Sequence, residues 1–296
     1  MRKIILAMAI LSVGLMMASS QAFAFALVDP VSGEQFFGDV QIKYNDYDFG
    51  TVYNFNAGTG QYDPINSPGG NSLTPGVTNL AVDGVSDSWG IAGVTSILKD
   101  PGVSNPAFDT LWTPSTTESL EIVFYGLNDI RISADGKTLH SNAQSDAYFR
   151  VYLDTTPDMN PTTGMGGFPN NVGNAGDVLL LDCRWVTGVS STVPEAVYEQ
   201  ALAAAGANPP FGSGEGYLEV VGGTLMDMFD SNKFLGGSAD LFLKSSFVPD
   251  TSGQWTVLSH DPMSARTTPE PATMIGLSMG LAGWCMSRRK KLSFKR

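Results

Sequence analysis

Between residues 27 and 268, apolar and polar side chains alternate in short runs, and clusters of Gly, Pro, Asn and Thr separate the runs. In an extended segment, Leu120, Ile122 and Phe124 lie on one face. Phe149, Val151 and Leu153 oppose Tyr148, Arg150 and Tyr152 in the same way. A period of two marks a strand with one buried face. Aromatic and β-branched residues dominate these runs, as a pleated, half-buried surface prefers. The pattern predicts further strands at 35–43, 48–55, 90–98, 129–133, 178–186, 216–221, 240–247 and 254–259. Asp135 and Gly136 predict a hairpin turn between Ile132 and Leu139. One segment breaks the period. Residues 194–206 open on Pro194 and Glu195, run through alanines and close at Gly206, which predicts a helix lying over one end or edge of the sheets. Roughly ten short strands and one helix predict an all-β domain, a two-sheet, jelly-roll-like β-sandwich over 27–265, with a β-barrel as the alternative. The long loops 58–76 and 155–176, rich in Pro, Gly and Asn, are expected to form a variable face.

Both ends of the chain follow a different logic. Arg2 and Lys3 precede an apolar stretch from Ile4 to Ala18, and Ala22 and Ala24 flank Phe23 in a small-x-small pattern. This is the form of a secretory signal peptide, residues 1–24, cleaved after Ala24 or one step on after Ala26. At the other end Pro269, Glu270 and Pro271 lead into a small-residue-rich apolar stretch, 272–287, and a basic terminus, 288–296, opened by Arg288, Arg289, Lys290 and Lys291. As a helix the stretch would span roughly 24 Å, a little short of the ~30 Å hydrocarbon core. The basic cluster would hold the end on the cytoplasmic side, leaving Pro269 outside.

Residues 266–296, with Pro-Glu-Pro, short span and basic end in that order, resemble the PEP-CTERM sorting signal of Gram-negative bacteria. The residue before the motif is Thr268, where the family usually has an apolar side chain. The resemblance implies export by the general machinery, a transient stay in the inner membrane and recognition by an exosortase. That enzyme is a transpeptidase-like protease that acts near Pro269–Pro271 in species making extracellular polysaccharide.

Removing both end segments sharpens the charge. Residues 27–268 keep nine of seventeen Lys+Arg and twenty-eight of twenty-nine Asp+Glu, a net charge of −19 against −12 for the whole chain. So acidic a surface disfavours nucleic acid and suits solubility outside the cell. Cys285 lies in the tail, so Cys183 is alone in the body and forms no internal disulfide. Its apolar surroundings in 178–186 predict a small buried hydrophobe, not a reactive thiol.

Catalytic patterns are sparse. His140 and His260 are the two histidines, and neither belongs to an HExxH motif. Ser213 has Phe211 and Glu215 where a nucleophile elbow needs glycines. Gly136, Lys137 and Thr138 imitate a phosphate loop, but position 131 is Arg where Gly is required. Abundant carboxylates leave a glycosidase open. Calcium is the ligand the loops suggest, with oxygen side chains paired at Asp46/Asp48, Asp83/Asp87 and Asp154/Asp158, the last beside Asn160; turn formation explains the same residues. Trp89, Trp112 and Tyr62 are candidate sugar-stacking aromatics. The leading expectation is a non-enzymatic exported protein of the cell surface or of an exopolysaccharide or biofilm matrix. A carbohydrate-binding module or adhesin, and a secreted glycan hydrolase, are the alternatives.

Overall fold

A single antiparallel meander closes on itself. The computed structural model describes residues 25–67, 69–81, 83–100 and 109–269. Its strands are β1 (Gly38–Gly50), β2 (Tyr53–Asn56), β3 (Gln61–Pro64), β4 (Ser88–Lys99), β5 (Thr110–Trp112), β6 (Ser119–Ile132), β7 (Thr138–Asp154), β8 (Val178–Val186), β9 (Tyr198–Leu202), β10 (Gly212–Gly222), β11 (Leu241–Pro249) and β12 (Val257–Thr267), with a turn of α-helix, α1 (Met226–Phe229), and short 3-10 turns in the loops. Eight of them form a ring in the order β1, β4, β6, β7, β8, β10, β11, β12 and back to β1. β5 extends beside β4, and β2 and β3 form a separate hairpin.

This closed eight-stranded barrel replaces the expected two-sheet sandwich. The deciding contact is β1, which pairs with β12 from Gly38↔Thr267 to Asp48↔Val257 and with β4 from Val40↔Lys99 to Gly50↔Ser88. A sandwich leaves sheet edges, whereas a ring leaves none. Sequence alternation fixes which side chains point inward but not which distant strands pair. The pattern also broke β1 between 43 and 48, because acidic residues stand at Asp46 and Asp48, in phase with buried Val40, Ile42 and Tyr44.

The expected helix at 194–206 is absent. Residues 198–202 are β9, which pairs with Thr138–Ser141 of β7 and Gly212–Gly216 of β10. β8 pairs with the remaining halves of the same two strands, so β8 and β9 fill one position in the wall end to end. A helix here would strand the backbone donors and acceptors of both neighbours, a penalty far above the helical preference of a few alanines. Ile132 does face Leu139 across the hairpin turn, where Gly136 adopts φ 73°.

The barrel has two unlike ends. β1 begins and β12 finishes at one of them, where α1 packs, and the interior there is filled by fully buried Leu241, Met263 and Ala265. At the other end β1 finishes, β12 begins, and the β2–β3 hairpin covers part of the opening through Tyr53, Tyr62 and Leu73. Loop 155–176 lies against the outer wall. Trp255 Nε1 donates to the Pro161 carbonyl at 2.8 Å, and the Trp89 and Phe168 rings meet edge-on at 4.6 Å.

The N-terminal segment bears on signal cleavage. Phe25 packs against the core and tilts onto Trp112 at 6.2 Å, while Leu27 is fully buried and its carbonyl accepts from Phe36 at 2.7 Å. Cleavage after Ala26 would discard a side chain the fold uses. Mass spectrometry of the exported protein is therefore expected to find Phe25 as the first residue, and a start at Leu27 would refute the choice.

Candidate functional site

Small residues on the inner wall open the half of the barrel away from Thr267. Along β10 the inward positions include Gly214 and Gly216; a methyl at 214 would land on the Tyr198 hydroxyl, and one at 216 would meet the rings of Tyr198 and Trp185. The run from Gly212 to Gly216 is thus a strand whose missing side chains admit two aromatic rings. Trp185 and Tyr198 meet edge-on at 5.9 Å, and the Tyr198 hydroxyl and Ser245 Oγ lie 2.7 Å apart. They border a cavity of about 60 Å³ that reaches the mouth at Phe49, Gly50, Thr51 and Pro210.

Asp46 and Asp48 line this cavity from β1. Ser259 Oγ donates to Asp46 Oδ2 at 3.0 Å and approaches Asp48 Oδ2 at 3.5 Å. Oδ1 of each carboxylate is buried without a hydrogen-bond donor, while the two carboxyls also bond to each other and the Tyr47 backbone supports Asp46. Burial pushes the Asp46 carboxyl up to about 6. Burial, together with the charge of Asp46, raises Asp48 further above the usual carboxylate range.

The other two calcium candidates are already engaged. Asp87 accepts from Thr51 Oγ1 at 2.9 Å and from the Asp129 amide at 2.8 Å. Asp129 in turn accepts from the Tyr53 hydroxyl at 2.9 Å and Ser141 Oγ at 2.7 Å. Asp83 Oδ1 caps the Val85 amide at 2.8 Å. Asp154 accepts from the amides of Thr156 at 2.6 Å and Asp158 at 2.9 Å, and Asn174 Nδ2 lies 3.1 Å from both oxygens of Asp158. Asn160 Oδ1 caps the Thr162 amide at 3.2 Å. These carboxylates shape turns and a hydrogen-bonded network. The structure does not gather the three pairs, and among the described residues no three His, Cys, Asp or Glu side chains converge as a metal site.

One constellation has the residue types of hydrolytic chemistry. Ser190 Oγ lies 3.2 Å from His140 Nε2, and Glu199 Oε2 lies 2.9 Å from the same nitrogen. A triad needs the nucleophile and the orienting carboxylate on opposite ring nitrogens, so that the ring can pass a proton between them. Here they compete for one. Burial lowers the His140 pKa, against the opposing pull of Glu199. Cys183 is buried, and burial raises its thiol pKa, which leaves it inert.

The candidate sugar platforms are packed. Trp89 stacks on Phe49 at 5.3 Å beneath loop 155–176, Trp112 donates to Glu118 Oε1 at 2.8 Å, and Tyr62 is buried against Phe55.

The chain leaves the barrel without a spacer. Thr267 Oγ1 accepts from the Gly38 amide at 3.1 Å, and the Thr268 amide donates to the Met228 carbonyl at 2.8 Å. Pro269 is the next residue. Residues 267–290 match the family model of the PEP-CTERM protein-sorting motif. The chain carries that sorting motif. The motif marks an exosortase target that is exported and passes through a membrane-anchored sorting intermediate. Searches of curated proteins and of solved structures returned no match. Glu270, Pro271, Arg288, Arg289, Lys290, Lys291 and the apolar stretch 272–287 lie outside the described residues, as does the signal segment 1–24. Among the described residues no helix is long and apolar enough to cross a membrane.

The sequence carried a signal for the interior acids that turn chemistry masked. Asp46 and Asp48 continue the inward phase of Val40, Ile42 and Tyr44, so period two already places them on the core face.

Proposed function

We propose that this protein is a non-enzymatic barrel of the cell surface or extracellular matrix, delivered through an exosortase and working among exopolysaccharide. The single observation behind this reading is the sorting motif joined directly to the closing strand of a complete barrel. The crossed geometry at His140 supports the non-enzymatic part. The packing of Trp89, Trp112 and Tyr62 favours a matrix role over sugar binding by those rings. The acidic body suits a hydrated, polyanion-repelling surface.

Replacing Pro269, Glu270 and Pro271 together by alanine tests the delivery step. The variant is expected to cross the inner membrane and accumulate there unprocessed, while the parent reaches the surface or the medium. Fractionation showing both proteins released equally would end the exosortase reading. A mutant lacking the whole protein is expected to alter matrix cohesion, and an unchanged matrix would remove that role.

A further inference from the structure

The cavity beside Asp46 and Asp48 has one-sided chemistry. Its head is acidic: both Oδ1 atoms are buried without a hydrogen bond, and Asp46 itself is 8% exposed. Its walls are apolar and aromatic, with Phe124, Phe149, Trp185 and Leu243 facing inward. An unpaired carboxylate oxygen in such surroundings is costly, and a cation that donates hydrogen bonds relieves it. The volume narrows the choice. About 60 Å³ is available, and about 10–15 Å³ of such space holds one water. The occupant is therefore a small molecule larger than a single water. A carboxylate or phosphate would meet like charge. A calcium ion wants six to eight oxygens, and these walls are largely hydrocarbon.

We propose that the barrel interior is a binding site for a small aliphatic ammonium, with the head group on Asp46 and Asp48 and the tail against Trp185, Phe149 and Leu243. Gly90 belongs to the site, because a methyl there would occupy the place of Asp48 Oδ1. Entry is at Gly50 and Pro210, on the end of the barrel away from Thr267. The occupant can therefore exchange while the tail holds the protein at a membrane. This inference is independent of the matrix role and stands or falls on binding alone.

The test uses the full chain in detergent, titrated with n-butylammonium, n-pentanol and pentanoate, read by tryptophan emission and by ligand-observed saturation transfer. Butylammonium is expected to bind saturably, pentanol at least ~10-fold more weakly, and pentanoate not at all. Asp46→Asn is expected to weaken butylammonium by ~10-fold or more while leaving pentanol unchanged. Ala92→Leu, which fills the cavity from β4, is expected to abolish both. It also serves as the second probe if the asparagine variant fails to fold. Equal affinity for the amine and the alcohol would overturn the proposal. So would the absence of saturation, calcium competing for the site, or an Asp46→Asn protein that binds the amine unchanged.

Discussion

The barrel is expected to melt at a higher temperature at pH 5 than at pH 8. Burial pushes Asp46 and Asp87 up from 3.8 to about 6, and Glu121 from 4.5 to about 7. Burial also lifts Asp48 and Asp129 well above the ordinary range. The native protein thus binds protons that the unfolded chain has released. Stability from these groups is complete below about pH 4, and it is lost as pH rises through 6 to 7. Moving one carboxyl from 3.8 to about 6 corresponds to roughly 3 kcal/mol. Only the part above pH 5 counts in this comparison, about one pH unit for each of Asp46 and Asp87, so together they set a ceiling of roughly 3 kcal/mol, of which about half remains after local relaxation. For a domain of this size that is on the order of 5 °C. Self-repulsion among the net negative charges acts in the same direction. Differential scanning calorimetry across pH checks the result, and Asp46→Asn with Asp87→Asn should flatten the slope. A melting point that rises from pH 5 to pH 8 would contradict the burial of these carboxyls.

The second large effect is expected at Gly126. This residue sits at a register break in β6, between Tyr125↔Tyr148 and Leu127↔Ala143, where β7 carries the excess residues. Its φ is +90°, and an added Cβ would lie 2.6 Å from Ala147 Cα. A flexible side chain could move aside, but backbone in the wall of a closed ring cannot. Gly126→Val combines an unfavourable backbone region with steric overlap and is expected to cost about 3–5 kcal/mol in urea titration. Gly33→Ala has a comparable φ of +70° but nothing within 4 Å. It is expected to lose about 1 kcal/mol. Equal losses at the two sites would show that φ alone, without the Ala147 contact, governs Gly126.

The strands were readable where one face is apolar and the other polar. Residues 178–186 form β8 as expected, because Leu180, Cys183 and Trp185 are buried within an otherwise hydrophobic run. Residues 138–147 escaped notice: the polar side chains of His140, Ser141 and Asn142 interrupt the pattern, yet they lie in a seventeen-residue strand held by neighbours on both sides. β9 was hidden for the opposite reason, since alanine satisfies a helix and a wall position equally well and only its two partners decide. Closure could not be read at all. It depends on a pairing between Gly38 and Thr267, and no local pattern encodes a partner so distant in the chain. The acidic pair was found as a pair and misplaced in space, assigned to a loop when its phase belonged to the interior.

The absence of a spacer after Thr267 constrains the order of events during export. β1 leaves the secretion channel early, but its partner β12 is the last strand of the body to emerge, with the hydrophobic tail close behind. Pairings between such remote segments form slowly. Until then β1 waits with one side unpaired, and the chain remains pliable enough to pass through the channel. Were the stretch 272–287 to arrest in a bilayer, as the sorting motif implies, the ring would be completed only at that stage. The protease would then meet a finished fold seated directly above its cleavage site, and the last stave to lock would be the one it must cut beside.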